Sequence, residues 1–195
     1  MTLRRVCVYL GSSFGTDPLY RETAAAFGRL LVREGLGLVY GGGSVGLMGV
    51  IADAVREGGG EVIGVIPEAL VRMELAHLKL DDLRIVASMH ERKAMMADLA
   101  DAFVALPGGI GTLEELFETW TWSQLGYHGK PCGLLNAGGY YDGLLAFLDH
   151  AVDHGFLSPT HRGLLLADDD PHRLLLRLAA YAAPRVAKVV GDRDL

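Results

Sequence analysis

Two short stretches of this sequence join charge to a turn suited to oxyanion chemistry. Pro107-Gly108-Gly109-Ile110-Gly111-Thr112 runs into Leu113-Glu114-Glu115, and Ser88-Met89-His90-Glu91 runs into Arg92-Lys93. Glycine lets bare amides approach a phosphate closely, and a helix N-terminus adds partial positive charge. Gly108, Gly109, Ile110, Gly111 and Thr112 are therefore a candidate phosphate cradle. Two further glycine-rich loops, Gly11-Ser12-Ser13 and Gly41-Gly42-Gly43-Ser44-Val45-Gly46, bring Ser12, Gly42 and Gly43 to the same predicted ligand edge. One such loop is explained by a tight turn, but three point to a phosphate-bearing ligand.

Each charged motif has a structural alternative. Thr112-Leu113-Glu114-Glu115 has the form of a capping box, which would make Glu115 a cap partner. Yet two carboxylates in a first turn repel a phosphate docked on it, which suggests that Glu115 points past the phosphate to a sugar or a water. Ser88 to Glu91 is a second capping box, and the cations after it oppose the helix dipole. Arg92 and Lys93 are then either a solvated face or an anion site. Gly41 to Gly46 formally matches G-x-G-x-x-G, but that fingerprint belongs on the first βα turn, where this chain has GSSFG. No G-x-x-x-x-G-K-[ST] occurs, so neither a dehydrogenase nor a P-loop NTPase is favoured. His150 and His154 have metal-ligand spacing without the Glu of HExxH or a third ligand, and read as a solvated face.

The elements that must hold these loops are short apolar runs alternating with segments of helical period, the pattern of βαβ units. Strands are predicted at Arg5–Leu10, Gly37–Tyr40, Glu61–Val65, Leu83–Val86, Ala102–Ala105 and Cys132–Leu135. Helices are predicted at Pro18–Arg33, Leu47–Glu57, Met89–Ala100, Thr112–Leu125, Tyr141–His154 and Pro171–Ala182. The run Asp168-Asp169-Asp170 before Pro171 reads as a helix start and not a metal site. The expected fold is α/β, a Rossmann-like doubly wound parallel sheet in one domain over residues 1–183, with a loosely held tail over 184–195. The 195 residues carry a net charge of −6, with no block of Lys or Arg for a nucleic-acid surface. No run is long enough for a membrane span. Cys7 and Cys132, far apart in apolar segments, read as reduced buried thiols of a cytoplasmic protein. Trp120 and Trp122, two positions apart on a helix, point about 200° apart and cannot both face one sheet. One of them should meet solvent, a loop or another subunit.

The motifs PGGIGTLEE at Pro107–Glu115, MHERK at Met89–Lys93 and YGGGSVGLMG at Tyr40–Gly49 resemble the signature of the LONELY GUY family, cytokinin riboside 5'-monophosphate phosphoribohydrolases. The resemblance runs from about Val6 to Phe156 and includes TWSQLG at Thr121–Gly126 and GYYDGLL at Gly139–Leu145. It implies a Rossmann-like homodimer that hydrolyses the N-glycosidic bond of a purine nucleoside 5'-monophosphate, a cytokinin nucleotide or AMP, to free base and ribose 5-phosphate. It also implies catalytic roles for Arg92 and Glu115 and substrate contacts at Glu74, Lys93, Gly109 through Glu115, and Thr121. Phe14 departs from the family pattern, and Glu68–Leu83, expected to overhang the base, is its least typical segment. Some relatives of the scaffold act as carriers, so a non-catalytic nucleotide or cofactor carrier is the alternative; intact Arg92 and Glu115 argue against it.

Cleavage at an N-ribosyl bond passes through a cationic sugar, for which Glu115 supplies a carboxylate to stabilise charge and activate water. Arg92, permanently charged, suits electrostatic stabilisation or phosphate orientation better than proton donation. The PGGIGT amides and Lys93 would clamp the 5'-phosphate. Neither metal nor cofactor is required. An older label for such sequences, lysine decarboxylase, needs a Schiff-base lysine and a larger scaffold, and only Lys79, Lys93, Lys130 and Lys188 are present.

Overall fold

The computed structural model describes residues 3–73 and 75–184. Seven parallel strands form one sheet in the order β4-β3-β2-β1-β5-β6-β7. They are β1 (Arg5–Tyr9), β2 (Gly37–Tyr40), β3 (Val62–Pro67), β4 (Asp82–Val86), β5 (Ala102–Ala105), β6 (Cys132–Leu135) and β7 (Leu165–Asp168). The helices are α1 (Pro18–Arg33), α2 (Gly46–Glu57), α3 (Glu68–Arg72), α4 (Met89–Leu99), α5 (Ile110–Gln124), α6 (Asp142–Asp153), α7 (Pro159–Arg162) and α8 (Pro171–Ala179).

Side chains alternate across the central strands, as a sheet buried on both faces requires. Val6 and Val8 of β1 join one core with Phe27 and Leu30 of α1, Ile51 and Val55 of α2, and Leu174 and Leu178 of α8. Cys7 and Tyr9 join the other, with Met96 of α4, Leu116 and Trp120 of α5, and Leu148 of α6. Both cysteines are free and buried. The order in which strands are added reverses between β1 and β5, which pair side by side in parallel, so the loops leaving them open a crevice at the carboxyl edge of the sheet.

The single-domain doubly wound sheet expected from the sequence is present, with differences at its margins. A seventh strand, β7, was not predicted; its run Leu164-Leu165-Leu166-Ala167 is too short to separate from the acidic helix start that follows. The last helix stops at Ala179 instead of Ala182, and Asp170 caps it by accepting the Arg173 amide at 2.7 Å. The tail expected beyond Pro184 lies outside the described residues. Trp120 is buried and its Nε1 donates to the His161 carbonyl at 3.1 Å, and Trp122, partly exposed, packs against the same core, so the two do not separate onto different partners as expected.

Thr112 does not cap α5: the cap residue is Gly109, the helix starts at Ile110, and Thr112 lies buried in its first turn. Gly109, with extended backbone and no side chain, leaves the amides of that turn unobstructed. The predicted capping box at Thr112 and Glu115 is therefore absent, and with it the structural explanation of Glu115.

Candidate active site

A cleft of about 370 Å³ opens at the β1/β5 crevice. Its polar side is formed by Ser12, Gly109, Ile110, Gly111, Thr112, Glu114, Glu115 and Arg92. Its apolar side consists of Val45, Met48, Ile66, Leu70, Leu75 and Met89. A larger groove of about 800 Å³ lies between α1 and α2, but it is lined by charges of both signs and by none of the residues singled out for chemistry.

Arg92 reaches the cleft because α4 starts where the sequence says it should. Ser88 Oγ accepts the Glu91 amide at 3.1 Å, and Glu91 reaches back to accept the Ala87 amide at 2.8 Å. One residue later Arg92 turns inward and is 8% exposed. Its Nε donates to the Val65 carbonyl at 3.1 Å, its Nη2 to the Gly41 carbonyl at 3.2 Å, and its Nη1 stands 3.5 Å from Glu115 Oε1. Residue 41 must be glycine for this approach, because a Cβ there would overlap Nη2. Arg92 is thus no solvated surface residue.

Glu115 is nearly buried, and desolvation pushes its carboxyl above the ordinary carboxylate range, with the Arg92 charge acting against the shift. A carboxyl held above its ordinary range by desolvation, beside a fixed cation, is a stronger base than a solvated glutamate, the property an acid–base group requires. The other two carboxylates of the first turns of α5 are neutralised separately. Lys93 Nζ bridges Glu114 at 2.5 Å and Glu118 at 2.9 Å; desolvation alone would lower its pKa, and these contacts together outweigh it and raise the pKa. The repulsion that Glu114 would exert on a phosphate is therefore largely absorbed by α4.

Of the other residues singled out in the sequence, Ser12 and Gly43 line the cleft and Gly42 packs behind it against Ile66. Gly108 faces the neighbouring turn, and its carbonyl accepts the Tyr140 hydroxyl at 2.7 Å. Lys93 is held by its two carboxylates and does not line the cleft. Thr121, exposed, bonds to its own helix at Phe117 and also lies outside the cleft. Glu74 lies outside the described residues. The His150 and His154 rings lie tilted against each other with centroids 4.0 Å apart, and no group of three metal-ligating side chains occurs among the described residues.

The sequence reading missed Tyr140 and His77. Tyr140 braces the turn that opens α5 from outside, and Tyr141 beneath it donates to the Leu106 carbonyl at 2.6 Å. The repeated tyrosines of the GYY motif were the available signal. His77, buried against Asp53, stands in a stretch without periodicity and gave none.

Residues 48–178 match the model of a family described as possible lysine decarboxylase. The chain is 56% identical over 178 residues to a probable cytokinin riboside 5'-monophosphate phosphoribohydrolase of Oryza sativa subsp. japonica, covering 91% of this chain and 78% of that one. It is 51% identical over 179 residues to a cytokinin riboside 5'-monophosphate phosphoribohydrolase of Arabidopsis thaliana, covering 92% and 83%. Among solved structures it is similar to the molybdenum cofactor binding protein of Rippkaea orientalis, with a TM-score of 0.69 at 20% identity, covering 92% and 98%. The carrier protein for that cofactor from Chlamydomonas reinhardtii gives 0.69 at 22% identity, covering 92% and 100%. At such identities these two share the fold alone. Lys93 and Lys130 do not suit decarboxylase chemistry: Lys93 is ion-paired with its pKa raised, whereas a Schiff-base lysine needs it lowered, and Lys130 Nζ is bound to the Ala97 carbonyl.

Proposed function

The chain belongs to the LONELY GUY family of cytokinin riboside 5'-monophosphate phosphoribohydrolases, and from that premise we propose that it hydrolyses the N-glycosidic bond of cytokinin nucleotides, and of AMP, to free purine base and ribose 5-phosphate. The observation that carries this reading is the buried Arg92–Glu115 pair beside the open amide turn of α5. The 5'-phosphate is held by the amides of Ile110, Gly111 and Thr112, where the helix dipole favours an anion. Glu115 then faces C1', removes a proton from the attacking water and stabilises the cationic sugar as the bond from C1' to the base nitrogen breaks. Arg92 holds Glu115 and stabilises charge on the departing base, which takes up a proton from solvent while Glu115 returns to solvent the one it took from water. The carrier reading is less supported, because the similarity to carriers is confined to the fold.

The active unit in this reading is a homodimer in the cytoplasm. Exposed apolar residues stand at the site at Ile110 and Met89, and Thr121 can reach substrate only as part of an assembly. The free thiols of Cys7 and Cys132 fit a reducing compartment. Incubation with AMP and with isopentenyladenosine monophosphate, followed by chromatography for free base, tests the reaction. Release of base supports it, and intact nucleotide in both mixtures overturns it. Light scattering with a fully active species at 20.9 kDa would overturn the dimer.

A further inference from the structure

The apolar side of the cleft is not built from the sheet alone. Leu70 of α3 and Leu75 reach it from a strap that crosses the glycine loop after β2. The strap is attached to that loop at consecutive residues. The Ser44 amide donates to the Leu75 carbonyl at 2.9 Å, Ala76 forms a bridge with Gly43, and the His77 amide donates to the Gly42 carbonyl at 2.9 Å. Beyond these backbone contacts the His77 ring turns inward, 4% exposed, with Nε2 3.3 Å from Asp53 Oδ1 on α2. Asp53 is also 3.3 Å from Arg56 Nη2.

Packing alone does not account for a histidine here. Its Nδ1 is buried without a hydrogen-bond partner among the described residues, and so are Arg56 Nε and the Tyr40 hydroxyl. A buried polar atom left unpaired destabilises the fold, so a phenylalanine or leucine at 77 would fill the space at less expense to stability. What an apolar ring cannot do is bond to α2. We propose that His77, fastened to Asp53, is a positioning residue that sets the preference of the site for a purine carrying an apolar substituent over unsubstituted adenine.

This inference rests on the proposed reaction and deepens it. With the phosphate at the turn of α5 and C1' at Glu115, the base extends toward Val45, Met48, Ile66, Leu70, Leu75 and Met89. An alkyl group on its exocyclic nitrogen is desolvated against Leu70 and Leu75 only while the strap is held in register. The same attachment runs on to Arg92, since Gly42 accepts from His77 and the adjacent Gly41 accepts from Arg92.

The experiment compares kcat and KM for isopentenyladenosine monophosphate and AMP in the full chain, in His77→Phe, which fills the volume without a donor, and in His77→Gln, whose amide nitrogen reaches nearly as far as Nε2. His77→Phe should lower the preference for the alkylated nucleotide about tenfold, the size of a few apolar contacts, by raising its KM more than that of AMP. His77→Gln should restore most of it. Asp53→Ala serves as a second variant on a half-exposed helix position, and combining it with His77→Phe should add no further loss, because both break one attachment. Unchanged preference in His77→Phe and Asp53→Ala, with the wild-type chain active, overturns the strap inference and leaves the reaction standing. A wild-type chain inactive on both nucleotides overturns both.

Discussion

Arg92 Nη1 stands 3.5 Å from Glu115 Oε1, with the two side chains 10% and 12% exposed, so a cation and a carboxylate from different helices meet almost out of water. Neither belongs there for stability, because a buried ion pair seldom repays its desolvation. Glu115→Gln should therefore keep the fold and much of the affinity for nucleotide while turnover falls at least about 10²-fold, because the amide carries no charge and takes no proton. Near-normal turnover would remove Glu115 from the mechanism.

The raised pKa of Glu115 sets the acid side of the pH profile. Its ionised form is the base, so kcat/KM should fall as pH drops through a midpoint above the ordinary ~4.3 of a glutamate. A profile whose acid limb lies at or below that value would mean that another group is titrating.

Arg92→Lys should be nearly as damaging as Arg92→Ala. The guanidinium uses three separate nitrogens, on Val65, Gly41 and Glu115, and a single ammonium reaches only one of these directions at a time. Steady-state rates of the two variants within about threefold of each other would agree with this geometry, and an active lysine variant would reduce Arg92 to diffuse charge.

Tyr140 supports the proposed phosphate turn from behind. Its hydroxyl donates to the Gly108 carbonyl, and its ring packs edge-on against Tyr20 and Tyr141 at 5.5 and 4.9 Å between centroids. Tyr140→Phe keeps the packing and frees the carbonyl, so the loss should fall mainly on KM for the 5'-monophosphate, by about threefold to tenfold, the worth of one hydrogen bond. A change in kcat alone would place Tyr140 nearer the chemistry.

The helix start at Ser88, the strands of the sheet centre and the motifs around Arg92 and Glu115 were legible because each is a local pattern: a cap, an alternation, a glycine turn. Whether Glu115 was a cap partner or a free carboxylate was not legible, since Thr112 and Gly109 both suit a cap and only the helix start at Ile110 decides between them. The pairing of Lys93 with Glu114 and Glu118 was equally hidden, because it depends on how α4 and α5 pack across the second core. Helices α3 and α7 are too short to show a period. His77 and Asp53, 24 residues apart, meet only through the tertiary crossing of the strap.

Asp168 at the end of β7 supplies the pH dependence of stability. Its carboxylate accepts from Arg173 at 2.7 Å, from Arg177 at 3.2 Å and from the Asp170 amide at 3.0 Å, and these bonds, Arg173 foremost, lower its pKa to about 2. A carboxylate whose folded pKa lies below its unfolded value of ~3.9 stabilises the fold above that value and loses the contribution as pH falls toward the folded pKa. The partners are partly solvated, so after screening the contribution of Asp168 is about 1 kcal/mol, or ~2–4 °C in Tm for a domain of this size. Asp168→Asn should melt earlier than the wild-type chain at pH 7, and thermal melts should bring the two together between pH ~4 and ~2, where the wild-type carboxylate takes up its proton. A constant difference across that window would show that the Arg173 contact stabilises by geometry and not by charge.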